Sequence, residues 1–146
     1  MSTYSFLDVS STLVGPTGSI DVGYGSANAE EGITVTMTEA KNTMTIGADG
    51  EVMHSLHAGK AGTITITLLK TSPVNKKLSL AYNAQSLSSA LWGNNVIVIR
   101  NRASGDTTTA RSVAFQKQPD HANAKVGTTV SWVFDCGKID QMLGEF

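Results

Sequence analysis

Ionised side chains are scarce in this chain: Asp, Glu, Lys and Arg make up only 16% of its 146 residues, against a usual quarter. So sparse a charge leaves the surface to Thr, Ser, Asn and Gly, as in β-rich proteins whose outer faces meet other proteins. Nor is one sign in excess. Eleven basic residues face 12 acidic ones, for a net charge of -1, which argues against a nucleic-acid-binding domain. The single cysteine, Cys136, excludes an internal disulfide and gives no reason to invoke an oxidising compartment. The longest unbroken apolar run, Val96 to Ile99, falls far short of the ~20 residues that span a bilayer, so no membrane insertion is expected. The opening MSTYSFLDVS lacks a basic region followed by an apolar run, so no signal peptide and a cytoplasm-like setting are expected. Repeats, low-complexity tracts and linkers are absent, and the length fits one domain over 1–146.

What the sequence has is period-two alternation. GITVTMTE sets Ile33, Val35 and Met37 on one face and Thr34, Thr36 and Thr38 on the other; TITITLL repeats the pattern with Ile64, Ile66 and Leu68. TYSFLDVSSTLVG reads as a strand with Leu7, Val9 and Leu13 opposite Tyr4 and Phe6. GPTG after it is a hairpin turn signal leading into SIDVG. VSWVFDCG aligns Val130, Trp132, Phe134 and Cys136, RSVAFQKQ supplies a further strand, and NNVIVIR is apolar on both faces, as a central strand should be. One helix is predicted over 72–88, with Ser72 as N-cap and Pro73 at the first helical position. Val74, Leu78, Ala81, Tyr82 and Leu87 form its apolar stripe. With only Lys76 and Lys77 on its polar face, the helix suits its own sheet better than a membrane surface. The fold class is therefore mainly β, a β-sandwich or barrel of roughly seven to nine strands with one flanking α-helix.

The stretch ADGEVMHSLHAGKAGTITI, Ala48 to Ile66, invites three chemical readings. His54 and His57 suggest a metal site, but on an extended hairpin a separation of three points the rings to opposite faces, and His121 sits in a polar loop. Four convergent ligands are missing. Gly59-Lys60 suggests a phosphate loop, yet His54 stands where the first glycine is needed, Ala61 follows the lysine, and a strand rather than a helix comes next. The glycine-rich nucleotide turn fails for the same reason. Cys136, on the face of Trp132 and Phe134, reads as a buried inert thiol. Asp49 and Glu51 read as a solvated hairpin tip, and Trp92 as a core plug at the helix exit. Catalytic, cofactor-binding and metal-ligating residues are thus expected to be absent, and an enzyme is not expected.

A mechanical reading fits better. Residues 39–60 form an excursion between two alternating strands, and about 11 residues per arm at ~3.3 Å reach roughly 35 Å. The radius of gyration of a domain this size is only about 15 Å. An extended arm would leave Met44, Ile46, Val52, Met53 and Leu56 in water, and an isolated two-stranded hairpin is marginal. Either the arm folds back on its own body or it lies on another subunit.

YSFLDV at Tyr4, EEGI at Glu30, KNTMTIGADGEVMHSLHAGKAGT at Lys41, LLKTSPVNKKL at Leu68, ALWGNN at Ala90 and WVFDCGKID at Trp132 resemble the tail tube proteins of contractile-tailed (myovirus-type) bacteriophages and related prophages. The likeness runs along nearly the whole chain, loosest over 100–125. It implies a structural virion protein without cofactor, whose β-sandwich or barrel subunits form hexameric rings that stack into a tube inside a contractile sheath. Implied partners are further copies of itself, the tail sheath, baseplate and tail-terminator proteins, and, in the lumen, the tape measure protein and genomic DNA held without sequence-specific binding. Assembly is implied in the host cytoplasm. The long hairpin, with Met44, Ile46, Val52, Met53 and Leu56, becomes a subunit interface. Four lumen strands per subunit give 24 strands, which at ~4.8 Å and a tilt near 40° close at roughly 50 Å across. Closure removes exposed sheet edges, and low net charge suits a conduit because each neutralised phosphate would add affinity and slow ejection. The competing reading is a baseplate, fibre or capsid-decoration β-sandwich acting as a binding module.

Overall fold

The computed structural model describes residues 2–146. Among them lie strands β1 (Val9–Gly15), β2 (Gly18–Asp21), β3 (Asn28–Met37), β4 (Asn42–Ile46), β5 (Val52–Leu56), β6 (Gly62–Leu69), β7 (Asn95–Asn101), β8 (Thr107–Phe115) and β9 (Thr129–Met142), with one helix, α1 (Val74–Gln85). Seven strands make one antiparallel sheet in the order β2-β1-β7-β8-β9-β6-β3, while β4 and β5 pair only with each other. The large sheet curls into a half-barrel, and α1 fills its concave side.

Alternation decides which side chains fill that concavity. Ile64, Ile66 and Leu68 of β6 stand opposite Phe134, Trp132 and Val130 of β9, and Ile33 and Val35 of β3 stand opposite Ile66 and Ile64. These inward rows meet Val74, Leu78 and Ala81 of α1, and Leu13, Ile97 and Phe115 complete the core. Aromatic edges lock the centre: the Phe115 ring lies 5.5 Å from Tyr82, 5.9 Å from Trp132 and 4.9 Å from Phe134, centroid to centroid. Trp92 joins them from the helix exit, 5.8 Å from Tyr82, as a core plug should. The expected central strand, β7, runs between β1 and β8.

Curvature has a local cause. The register of β7 on β8 slips by one between Asn95–Val113 and Ile97–Ala110, and Ser112 takes a positive φ of 53° at that bulge. Gly137 lies opposite, where an added Cβ would come within 2.9 Å of Ser112 Cβ. The bulge therefore requires glycine on the neighbouring strand.

Two local expectations are corrected. Leu7 is not on a strand face: Phe6–Asp8 form a 3-10 turn, because Ser5 Oγ accepts from the Leu7 N–H at 3.2 Å and breaks the alternation. The strand begins only at Val9. Leu87 is not on the helix stripe, since α1 ends at Gln85 and Leu87 is 86% exposed. The stripe position after Ala81 belongs to Gln85, which is fully buried. Its amide exchanges two hydrogen bonds with Asn95, at 2.9 and 2.7 Å, and donates to Thr17 in the β1–β2 turn at 3.1 Å. Asn95 also donates to the Val113 carbonyl. One satisfied polar pair thus ties the helix end to two strands and the β1–β2 turn, which hydrophobic periodicity does not reveal. At the other end the helix begins at Val74, two residues later than expected, with Pro73 in the cap position; Ser72 Oγ, one residue earlier, accepts from the Val74 N–H at 3.3 Å.

Candidate assembly surface

The arm continues the β3–β6 pairing outward. Thr38 N–H donates to the Ala61 carbonyl at 3.0 Å and His57 N–H to the Lys41 carbonyl at 2.9 Å, so the two legs stay paired as they leave the body. β4 and β5 run in register from Asn42–Leu56 to Ile46–Val52. At the tip, Gly47 N–H donates to the Glu51 carbonyl, Gly50 takes φ +88°, and the Asp49 carboxylate accepts from the Glu51 N–H. Only glycine adopts that backbone without strain.

Register splits the five expected interface residues. Met44, Ile46, Val52 and Leu56 share one face, together with Asn42 and His54; Met53 projects from the other, beside Thr43, Thr45 and Ser55. The apolar face is uncovered, with Met44 54%, Ile46 63%, Val52 48% and Leu56 81% exposed. None of the four joins the core cluster. The arm thus holds a contiguous apolar face in water.

The histidines diverge as an extended hairpin requires. His54 Nδ1 lies 3.2 Å from Asn42 Nδ2, and His57 Nε2 lies 2.7 Å from Thr43 Oγ1; Asn42 and Thr43 are successive residues with opposite faces. Among the described residues no three His, Cys, Asp or Glu side chains gather as metal ligands. Cys136 is buried, and that burial pushes its thiol from the ordinary 9.0 up to about 11, which makes it a poor nucleophile at neutral pH.

The convex face of the sheet carries the threonines. Thr34, Thr65 and Val133 lie side by side across β3, β6 and β9, as do Thr36, Thr63 and Asp135. Gln116 donates to the carboxylate of Asp135 at 3.1 Å. Apart from Asp135 and the apolar Val133, this lane is neutral and polar.

Sequence reasoning missed a group of basic side chains at one end of the sheet. Where β6 ends and β9 begins, Lys70 and Lys76 lie around one recess and Lys117 beside another, with Asp120 on both. A recess of about 380 Å³ opens there, with Val130 and Trp132 at its floor and Lys70, Lys76, Pro119 and His121 around it. Trp132 donates to Asn75 of α1 at 3.0 Å. Lys70 donates to Asn123 and the Ala122 carbonyl, neutral acceptors that leave its charge uncompensated. Lys76 and Lys77 occupy the first turn of α1, which has no acidic residue and where the helix dipole disfavours cations by about 0.3–1 kcal/mol each. That misplaced pair was the available sequence signal. Glu30, Glu31 and Asp106 line a separate recess with Tyr4, Phe6 and Leu143.

A curled sheet with open edges and an exposed amphipathic arm suits a structural subunit. The family model of the Bacteriophage PhiTE tail tube protein matches residues 1–144, and the chain belongs to that family. It is a structural phage tail tube protein and not an enzyme. No curated protein matches the chain in sequence. Among solved structures, the sheath/tube terminator of the PVC extracellular contractile injection system matches with TM-score 0.62 and 9% identity, over 97% of this chain and 98% of that one. The tube terminating cap of the anti-feeding prophage matches at 0.55 and 12%, over 99% and 93%. A chain of the PVC sheath-tube complex matches at 0.51 and 9%, over 91% and 88%. At these identities the likeness establishes the fold.

Proposed function

We propose that the chain acts as one tail-tube domain whose hexameric rings stack into the conduit of a contractile tail, through which genomic DNA passes. The observation that carries this reading is the arm: residues 39–60 extend from a folded body and hold Met44, Ile46, Val52 and Leu56 in water. A face of that kind is stable only against another copy. The neutral lane of Thr34, Thr36, Thr63 and Thr65 forms the lumen wall, where few fixed charges let DNA slide. The unpaired side of β3, an edge of the sheet, joins a neighbour and closes the barrel. Sheath and baseplate proteins cover the outside and start the tube, as the sheath-tube and terminator contexts of the structural neighbours support. Tape measure protein fills the lumen before DNA does, and assembly takes place in the host cytoplasm.

A second reading has a specific observation behind it. The terminator of the PVC system matches more closely than the chain of its sheath-tube complex, 0.62 against 0.51, which favours a capping ring that closes a tube instead of repeating along it. Electron microscopy of the purified full chain separates the two. Long tubes of uniform bore support the tube reading, and discrete single rings support the cap.

A further inference from the structure

The methionines of this chain stand outside its core. Methionine is ordinarily among the residue types most often buried. Yet Met37, Met44, Met53 and Met142 are 44%, 54%, 60% and 72% exposed, and none joins the core cluster. Three of these belong to the arm and its base: Met37 ends β3, Met44 lies on β4 and Met53 on β5. Their thioethers are open to small oxidants in solution.

Register sets one of them apart. On the apolar face of the arm the cross-strand pairs are Asn42–Leu56, Met44–His54 and Ile46–Val52, so Met44 belongs to the middle pair. Asn42 and Ile46 flank it along β4, while Val52 and Leu56 lie diagonally across, within reach of a long side chain. Its own partner is His54, so the apolar surface from Ile46 and Val52 to Leu56 is continuous only through Met44. Met53 stands on the other face beside Thr45 and Ser55, where no apolar patch depends on it.

A hydroperoxide transfers one oxygen to a thioether. The sulfur lone pair attacks, the O–O bond breaks and the S–O bond forms. The sulfur is oxidised, and the peroxide leaves reduced, as water when it is hydrogen peroxide. A polar sulfoxide then replaces an apolar group. At Met44 it divides Ile46 and Val52 from Leu56, and whatever covers the face must bury a strong acceptor that the thioether did not present.

We infer that Met44 is a redox-sensitive modification site, where sulfoxide formation by a peroxide in the unassembled chain blocks assembly until a sulfoxide reductase reverses it. This rests on the tube reading and adds a chemical control to it. Covering the face shields Met44, so the reaction belongs to the free subunit.

The test treats the unassembled full-length chain with dilute hydrogen peroxide and locates sulfoxides by peptide mass spectrometry. The peroxide is then removed, and sedimentation and electron microscopy read assembly. Wild-type chain oxidised at Met44 should lose its tubes, and methionine sulfoxide reductases should restore them. Met44→Leu keeps size and apolarity and should assemble after peroxide as it does before. A variant with Met37, Met53 and Met142 all replaced by Leu keeps Met44 as its one internal methionine and should fail as the wild type does. Met44→Gln, polar and of similar length, should raise the concentration needed for assembly about tenfold or more without any oxidant. Should Met44→Leu itself fail to assemble, Met44→Gln and the reductase rescue of the wild type carry the test. Tubes that form as readily from chain bearing the Met44 sulfoxide, or equal losses in peroxide-treated Met44→Leu, overturn the inference and leave the tube reading standing. So does a Met44 that stays reduced in the free chain while Met53 is oxidised. Reduced wild-type chain that makes no tubes overturns both.

Discussion

Removing Asn42 to His57 and joining Lys41 to Ala58 through a Gly-Ser turn separates folding from assembly. The cut falls where the legs already touch, since His57 N–H donates to the Lys41 carbonyl at 2.9 Å. No core residue lies inside it, and shortening a surface loop changes closure entropy by only about 1 kcal/mol. The body should therefore melt within a few degrees of the parent. Assembly should respond differently. Four half-exposed to exposed apolar side chains present on the order of 400 Å² for burial, worth about 10 kcal/mol at ~25 cal/mol per Å² before ordering and association costs. Even a third of that surplus, ~3 kcal/mol, weakens each contact more than a hundredfold. Circular dichroism reads the fold, and sedimentation velocity with electron microscopy reads assembly. The expected product is a soluble β-rich monomer. A deletion variant that polymerises like the parent would refute the arm as the assembly element.

Further outcomes follow from particular contacts. Replacing Met44, Ile46, Val52 and Leu56 together by Ser should abolish assembly, whereas Met53→Ser, on the opposite face, should leave most of it; equal losses in both would contradict the face assignment. Gln85→Ala strands the buried Asn95 amide and should cost about 1–3 kcal/mol in a denaturant titration; no change would show that the pair contributes nothing. Cys136 should resist alkylation at pH 8 until the chain unfolds. Because its folded value of about 11 lies above its ordinary 9.0, the associated stability is fully present below pH 9 and lost as pH rises towards 11, by up to about 2–3 kcal/mol. A flat stability profile across that window would contradict the burial argument. Zinc or a chelator should leave the melting temperature unchanged, and a chelator-dependent fall of several degrees would mean that His54 and His57 converge after all.

Alternation made most of the sheet legible. GITVTMT and TITITLL placed Ile33, Val35, Ile64, Ile66 and Leu68 inward, where they are found, because a one-residue slip would turn every one of them to water. The GPTG turn fell where β1 meets β2 across Pro16 and Thr17. Polar interruptions were less readable. Phe6 and Leu7 continue an alternating pattern, and only the local bond from Leu7 to Ser5 turns them out of it. Gln85 takes a core position that periodicity assigns to apolar residues, and its partner Asn95 becomes visible only once the helix end and β7 meet. The excursion over 39–60 was evident from composition, but its two faces depend on the register set by the Gly47–Gly50 turn. The basic recess was hidden for a different reason: Lys70 and Lys76 are close in sequence, but Pro119 and His121 are far along the chain and meet them only where β6, α1 and the loop before β9 come together.

Electron microscopy of the purified, full-length chain over a range of concentration and salt tests the central claim most directly. The account predicts tubes of uniform diameter with a continuous central channel, six subunits around each ring, and convex sheet faces bearing Thr34, Thr36, Thr63 and Thr65 towards the bore. Monomers under every condition, or discrete oligomers without a channel, would contradict it.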